Sequence, residues 1–238
     1  MDVFEIIESR TTIKNYDKKD VPEELIAHII MGGTYACSTG DIQPWEFIIV
    51  RDKKMKKEIS EASLKQRHVE EAPVLIVVCA NIDRITTKFG ERGKILYAIQ
   101  DTAACIQNML LTVHALGLGA SWVHAFEDDK IKTLLDIPPS LTPVGIITLG
   151  FPYPSENVQR PNIIPLENIT WEELCRREWS WFKKYGKQSR FNFKSLYEYV
   201  KDTEQSIKNK IEQKPQKKET TPEPISKKVV KFIKNLAK

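Results

Sequence analysis

Residues 72–80 read Ala-Pro-Val-Leu-Ile-Val-Val-Cys-Ala, and this unbroken apolar run decides the fold. It has the length of a strand, and Pro73 and Asn81 bound it. A strand that is apolar at every position is buried on both faces, whereas a strand with one solvent-facing side alternates. The run therefore predicts the central strand of a sheet that is covered on both sides.

The segments on either side of this strand alternate between strand and helix patterns. Strand patterns occur at 45–50, 120–123 and 143–150, and helical spacing of apolar residues occurs at 2–9, from 21 onward, at 53–64, 95–116 and 128–135. The segment 95–116 is apolar on most sides, which predicts a buried helix. Thr170 and Glu173 have the spacing of a capping box and predict a further helix start. We expect a sheet with helices on both faces through residue 150.

Composition narrows the class of protein. The chain has 238 residues, 41% of them hydrophobic, and no apolar run of transmembrane length. The N-terminus lacks the basic and apolar regions of a signal peptide. The cysteines, at positions 37, 79, 105 and 175, have neither C-x-x-C nor zinc spacing, which is typical of free thiols in a reducing compartment. We expect a cytoplasmic protein without a metal site.

Positive charge is concentrated at the C-terminus. Residues 187–238 hold 14 Lys/Arg and 6 Asp/Glu, a net +8, which leaves −4 for residues 1–186 of a chain whose net charge is +4. This asymmetry predicts a domain at 1–186 and a basic extension at 187–238. The extension divides into an amphipathic helix at about 191–212, a linker at 213–224 and a short basic helix at 225–237. It could be a solvated extension, embrace a partner subunit or another protein, or bind anionic membrane or nucleic acid.

A phosphate site is indicated by residues 10–14, Arg-Thr-Thr-Ile-Lys, directly after the first helix. Two cations and two hydroxyls within five residues suit a phosphate monoester, which accepts hydrogen bonds from both kinds of group. The alternative is an ordinary solvated loop. The Walker pattern is absent, and Gly117-Leu118-Gly119 lacks the third glycine of a dinucleotide fingerprint and opens a strand. Any phosphate must therefore be held by side chains and loop amides.

Six segments in order resemble landmarks of the FMN-dependent nitroreductase superfamily. Residues 9–14 resemble its R-R-S-x-R signature, and 37–45 (CSTGDIQPW) resemble its A-P-S-x-x-N-x-Q-P-W loop. The remaining four are 72–78 (APVLIVV), 100–111 (QDTAACIQNMLL), 116–122 (LGLGASW) and 149–152 (LGFP). The resemblance spans about residues 3–175 and does not reach the extension.

The resemblance implies an α+β fold: a three-layer α/β/α sandwich around a mixed, mainly antiparallel sheet, in a homodimer with FMN at its interface. The residues expected to bind FMN form three groups. Arg10, Thr11, Thr12 and Lys14 would hold the phosphate and ribityl chain, with Arg160 as a second phosphate contact. The loop residues Ser38, Thr39 and Asp41 would lie along the ring edge, largely from the partner subunit, and Trp122, Val123 and His124 would back the ring.

The implied activity is hydride transfer from NADH or NADPH through flavin N5 to a flat electrophile such as a nitroaromatic or quinone, by a ping-pong mechanism. Because the flavin supplies the chemistry, no catalytic residue is expected. Two alternatives are a specialised member, such as a reductive dehalogenase or a flavin-fragmenting enzyme, and a flavin-binding interaction protein with little turnover. Specialised members use long lids, and residues 82–97 are the only lid candidate here.

This chain departs from the family pattern at two positions. Lys14 replaces an arginine, which keeps the charge but loses the bidentate fork. Asp41 replaces an asparagine, and an ionised carboxylate cannot donate a hydrogen bond to the flavin. A negative charge beside the ring would also disfavour the anionic reduced flavin. Elsewhere, we expect Trp45 in the core, His68 and His114 to be structural or exposed, and the lysines at 53–57 to lie on a solvated face.

Overall fold

The computed structural model describes residues 2–153 and 163–185, together with Gln205. The chain forms two compact units, residues 1–162 and 163–238. The first contains the helices α1 (Val3–Ser9), α2 (Glu23–Thr34), α3 (Lys53–Ala62), α4 (Arg67–Glu71), α5 (Ile82–Arg92), α6 (Ala98–Ala115) and α7 (Asp128–Leu134). Its strands are β1 (Trp45–Val50), β2 (Val74–Asn81), β3 (Gly119–Val123) and β4 (Leu141–Gly150).

The four strands form one sheet in the order β1-β2-β4-β3. Every pairing among them is antiparallel, with Ile49 opposite Ile76 on one side of β2 and Ile76 opposite Ile147 on the other. The prediction that 72–80 forms a central strand is confirmed, because β2 is hydrogen-bonded on both edges and every residue from Val74 to Ala80 is buried. The parallel pair that a mixed sheet would need is not among the described residues.

The two faces of the sheet have separate apolar cores. Side chains alternate along a strand, so alternate residues of β2 enter different layers. Val74, Ile76 and Val78 pack with residues of α2 and α6 on one face. On the other face, Leu75, Val77 and Cys79 of β2 pack with residues of α3, α4 and α7. This is the three-layer sandwich expected from the sequence, and Trp45 lies in its core as predicted.

The segment between β2 and α6 is more ordered than the sequence suggested. Residues 82–97, the lid candidate, form α5 and a π-helical turn (Gly93–Tyr97). Within α5, Ile85 is fully buried, and Gly90 interrupts the helix with φ 55° and ψ −146°. The segment is therefore a helix packed on the domain, not an open loop.

One lysine of the 53–57 run lies in the interior, which corrects the prediction of a fully solvated face. Lys56 is 6% exposed, and its Nζ donates to the carbonyl oxygens of Ala72 (2.5 Å) and Pro73 (3.3 Å). Burial is the largest cause that lowers the pKa of Lys56, followed by the neighbouring Lys53. The ammonium ties α3 to the start of β2.

In the second unit, the helix predicted at Thr170–Glu173 is absent. Glu173 instead has a positive φ of 61°, and Trp171 forms an antiparallel bridge with Glu178. The helix α8 (Ser180–Tyr185) begins later, where the amide and hydroxyl of Ser180 donate to the Glu172 carboxylate at 3.0 and 2.9 Å. These bonds are the main cause that lowers the pKa of Glu172. The predicted extension at 187–238 lies outside the described residues except for Gln205.

No helix in the part of the chain that the structure describes is long and apolar enough to cross a membrane. Within the same residues, no group of three or more His, Cys, Asp or Glu side chains could hold a metal ion. The four cysteines are free thiols; Cys37 and Cys175 are exposed, and Cys79 and Cys105 are buried. Burial raises the pKa of each buried thiol to about 12, so neither is a thiolate near neutral pH.

Candidate functional site

The segment after α1 is held along the sheet by backbone hydrogen bonds. The amide of Ile13 donates to the Ala120 carbonyl of β3 at 2.9 Å. Four residues on, the Asp17 amide donates to the Phe151 carbonyl at 2.9 Å, just beyond β4. The Tyr16 hydroxyl lies 2.6 Å from the Ile13 carbonyl oxygen. Residues 10–17 therefore have a defined position at one end of β3, which a freely solvated loop would not have.

The side chains of this segment alternate between the domain and solvent, as in an extended strand. Ile13 points at Gly119, where an added Cβ would lie 2.7 Å from the Ile13 methyl group, so glycine is needed there for close approach. Thr12 and Lys14 on either side are exposed, while Arg10 and Thr11 are half-buried. The hydroxyl of Thr12 and the ammonium of Lys14 consequently face outward together.

The end of β3 supplies a flat aromatic surface. Trp122 and His124 lie on the same face of the strand, with ring centroids 4.2 Å apart and planes 28° from parallel. The Trp122 ring is wedged against Gly145, and its buried Nε1 has no hydrogen-bond partner among the described residues. His124 is exposed. Val123 points to the opposite face and is 2% exposed in the core, so only its backbone is available to a ligand.

A buried carboxylate holds the loop before β1. Asp101, near the start of α6, is 5% exposed and accepts from both the amide and the hydroxyl of Thr39 at 3.0 Å each. Ser38 accepts a hydrogen bond from the Gln43 amide through its hydroxyl oxygen at 3.1 Å. Asp41 ends the short 3-10 turn (Thr39–Asp41) with φ 57°, and its side chain is exposed.

Residues 38–41 and residues 10–14 are anchored at opposite ends of α6. Asp101 positions the 38–41 loop at the start of the helix, whereas Ser9, directly before Arg10, contacts His114 near its end (Oγ to Nε2, 2.7 Å). Thirteen residues of α-helix separate the two anchors, which is about 20 Å of rise. Within one chain, the structure brings residues 10–14 and 122–124 to the same strand and does not bring residues 38–41 to them.

Helix α4 is a part of this region that the sequence reasoning missed. The Gln66 side chain, at the start of α4, donates to the Ala125 carbonyl at 3.2 Å, just after His124. His68 is 9% exposed, and its Nε2 is buried without a hydrogen-bond partner in the described residues. Its pKa is lowered, first by burial and then by the charge of Lys14. The only signal in the sequence is a histidine followed by a valine shortly before a buried strand.

Arg160, the remaining residue of the predicted site, lies outside the described residues. Its position relative to Lys14 therefore stays a prediction.

Comparison with known proteins gives consistent matches. The model of the Nitroreductase family matches residues 7–67 and 62–151. A Methanothermobacter thermautotrophicus protein described as a candidate NADH dehydrogenase/NAD(P)H nitroreductase is 38% identical over 179 residues, covering 73% of this chain and 88% of the relative. A solved nitroreductase family protein of Clostridium difficile 630 has a TM-score of 0.64 at 27% identity, covering 73% and 99%. The FMN-dependent nitroreductase of C. difficile R20291 shares the fold, with a TM-score of 0.62 at 21% identity over 72% and 100%.

Proposed function

Because this chain belongs to the nitroreductase family, we propose that it is an FMN-dependent oxidoreductase that takes a hydride from NADH or NADPH and passes it to a flat electrophilic acceptor. Nitroaromatics and quinones are the acceptor class. A ping-pong order follows if both substrates use the same face of the cofactor in turn.

One observation carries the proposal. The backbone bond between Ile13 and Ala120 holds the 10–14 segment, with Thr12 and Lys14 exposed, beside the same strand that leads into the Trp122–His124 pair. A hydroxyl and a cation suit a phosphate monoester, and an aromatic surface suits the ring of the same ligand. A mononucleotide with a flat ring needs both kinds of contact a short distance apart.

The residues present fit FMN. Arg10, Thr11, Thr12 and Lys14 would hold its phosphate and ribityl chain, with Arg160 as a second phosphate contact. Trp122 and His124 would lie against the ring together with the backbone of Val123, and Ser38, Thr39 and Asp41 would reach it from a second subunit. The buried Nε2 of His68 has no hydrogen-bond partner among the described residues, so it is available to a polar atom of the ligand. When bound, FMN supplies hydride-accepting and hydride-donating chemistry, and the protein supplies orientation.

The structure of residues 82–97 does not favour a reductive dehalogenase or a flavin-fragmenting enzyme, which use long lids. Residues 82–97 pack on the domain through Ile85, and the Lys88 ammonium donates to the Gly40 carbonyl at 3.3 Å. A segment engaged in this way leaves little chain to close over a bulky substrate. An open slot for varied flat acceptors is the better match.

The test starts with the colour of the purified protein. We expect a yellow protein, or one that becomes yellow on addition of FMN, with a flavin absorption band that bleaches anaerobically with NADH or NADPH. Nitrofurazone or menadione should then restore the band, and steady-state rates should give parallel double-reciprocal lines. Protein that cannot take up FMN would contradict the proposal. Bleaching that no acceptor reverses at a useful rate would favour the interaction protein with little turnover.

We further propose a homodimer, because one chain separates the two groups of site residues by the length of α6. The exposed faces of the domain fit this assembly. Ile95 and Ile99, four residues apart on one helical face, are 66% and 41% exposed, and Ala103, one turn further, is only half-buried. Sequence alone predicted this helix to be buried on most sides, and a second subunit would complete that burial.

Complementation between two defective subunits tests the shared site. Lys14→Glu removes the cation at one half-site, and Ser38→Trp places a bulky side chain at the other, where Ser38 has an extended backbone that accepts it. If each flavin site uses residue 14 of one subunit and residue 38 of the other, randomly mixed dimers recover about a quarter of the wild-type sites. Each variant alone, refolded in the same way, is the control. No recovery in verified heterodimers would refute the shared site.

Location and the basic extension complete the proposal. Two exposed thiols, Cys37 and Cys175, favour a reducing compartment such as the cytoplasm. The extension at 187–238, with its net +8 charge, is either a solvated extension or a segment that contacts the partner subunit, anionic membrane or nucleic acid. Truncation after Gly186, compared with full-length protein in liposome and nucleic-acid binding at low and high salt, separates these: only electrostatic binding weakens with salt. Loss of the dimer on truncation would assign the extension to the partner subunit.

A further inference from the structure

We propose that His68 is a further ligand-binding residue of the flavin site, where it and Lys14 together bind an anionic oxygen of the mononucleotide. This inference rests on the proposed function. The oxygen could belong to the phosphate or to the ring, and the experiment below distinguishes the two.

The first support is an unsatisfied polar atom. His68 is 9% exposed, and its Nε2 is buried with no hydrogen-bond partner among the described residues. Buried polar atoms in folded proteins nearly always have a partner, because an unpaired one has lost its hydrogen bonds to water without replacing them. A buried imidazole nitrogen without one therefore indicates a missing ligand atom.

The second support is position. Two hydrogen bonds hold the α3–α4 region against the residues after β3: Gln66 donates to the Ala125 carbonyl at 3.2 Å, and the Glu127 amide donates to the Ala62 carbonyl at 2.9 Å. His68 lies on the helix that these bonds position, and it is close enough to Lys14 for that ammonium to act on it. His68 therefore lies on a helix that is held against the residues after β3, and the charge of Lys14 in the 10–14 segment acts on its imidazole.

The third support is the charge around the imidazole. Among the described residues, Lys14 is the charged group that acts on His68. Arg67 and Glu71 of the same helix pair with each other at 2.6 Å in solvent, and Glu61 of α3 lies 3.9 Å from Lys65. Burial and Lys14 lower the pKa of His68, so the imidazole is neutral at pH 7 without ligand. An anionic oxygen would oppose both effects, so binding should raise this pKa and take up a proton.

Calorimetry of flavin binding to apo-protein tests the inference. Titrations in buffers of different ionisation enthalpy give the number of protons taken up. At about pH 6, wild-type protein should take up more protons per FMN than His68→Gln, by a fraction of one proton. The ionisation of the phosphate contributes to both proteins and cancels in the difference. His68→Gln should also bind FMN about tenfold more weakly.

Riboflavin, which lacks the phosphate, identifies the oxygen. A proton difference with FMN alone assigns His68 to the phosphate, and a difference with both ligands assigns it to the ring. His68→Lys, which carries a permanent charge, should keep FMN affinity but lose the extra uptake. His28→Gln is the matched control, because His28 is exposed on α2 and its ring forms a local contact with the Glu24 carbonyl at 2.6 Å.

Three results decide the matter. Equal uptake and affinity in wild-type protein and His68→Gln would overturn the inference while leaving the proposed function intact. Wild-type protein that binds no FMN would instead defeat the proposed function. If the His68 variants do not fold, NMR of the wild-type imidazole still decides: its resonances should shift on FMN addition, and unshifted resonances would overturn the inference.

Discussion

Replacing Asp101 should loosen the loop that carries Ser38 and Asp41 without touching the ligand. The carboxylate is 5% exposed and accepts two hydrogen bonds from Thr39, each 3.0 Å long. A hydrogen bond to a charged group contributes about 1.5–3 kcal/mol, and water can partly replace it at half-buried Thr39. We therefore expect Asp101→Ala to lower the free energy of unfolding by about 2–4 kcal/mol. For a domain of this size, that is a fall in Tm of about 5–10 °C.

Thr39→Val divides the effect into its two bonds. It removes the hydroxyl bond and keeps the amide bond, so it should cost about 1–1.5 kcal/mol. Chemical denaturation of both single variants and of the double variant gives the coupling energy, which should be at least about 1 kcal/mol. FMN affinity, measured by fluorescence quenching, should fall more in Asp101→Ala than in Thr39→Ser, which keeps both bonds. A Tm for Asp101→Ala equal to that of the wild type, or additive costs in the double variant, would refute the reasoning.

Three further predictions follow from single contacts. Asp41→Asn should raise the flavin midpoint potential without loss of stability, because asparagine tolerates the positive φ of 57°; an unchanged potential in a redox titration would count against it. Gly119→Ala should clash with Ile13, costing about 1–3 kcal/mol and weakening FMN binding, while equal Tm and affinity would show that the segment can move freely. Because the folded-state pKa of Lys56 is depressed, the cost of burying its charge falls as pH rises through that pKa. Wild-type protein should gain stability relative to Lys56→Met as the pH rises towards 10.5, the ordinary pKa of lysine, and a pH-independent difference in denaturant midpoints would contradict this.

The sheet and its two layers were predictable because each strand has a local signature. The run at 72–80 is apolar at every position, and the segments 45–50 and 143–150 have strand length and composition. In segments such as these, the pattern of apolar residues along the sequence shows which side chains are buried in the fold. The helix at 53–62 and the strand ending at Val123 were predicted for the same reason, to within a few residues.

The errors arose where a distant partner outweighs the local pattern. The capping-box spacing at Thr170 and Glu173 predicted a helix. Instead, the Glu172 carboxylate accepts a hydrogen bond from the amide of Ser180, eight residues later, where α8 begins. The exposed-looking Lys56 is buried because two carbonyls at the start of β2 accept from it. Neither partner lies within one helical turn, so no local pattern could indicate it.

The candidate site was predictable in its parts more than in its arrangement. Motif resemblance indicated the segments at 10–14, 38–41 and 122–124, but only the structure shows their separation along α6. His68 was missed because its interest lies in an unpaired buried atom, which is a property of packing. Val123 points into the core because side chains alternate along β3. The motif resemblance assigned Trp122, Val123 and His124 to the site together and took no account of this alternation.

The length of α6 determines how far apart the two groups of candidate site residues lie. The helix sets the distance between the two half-sites of one subunit, so in the proposed dimer its length would decide which half-sites of the two subunits meet. Deleting four residues would shorten it by about 6 Å and rotate one half-site by only about 40° relative to the other, whereas deleting one residue would shorten it by about 1.5 Å and rotate that half-site by about 100°. Each half-site could remain folded in both cases while its counterpart moved out of register. The helical segment between Asp101 and His114 is therefore expected to tolerate substitutions far better than insertions or deletions.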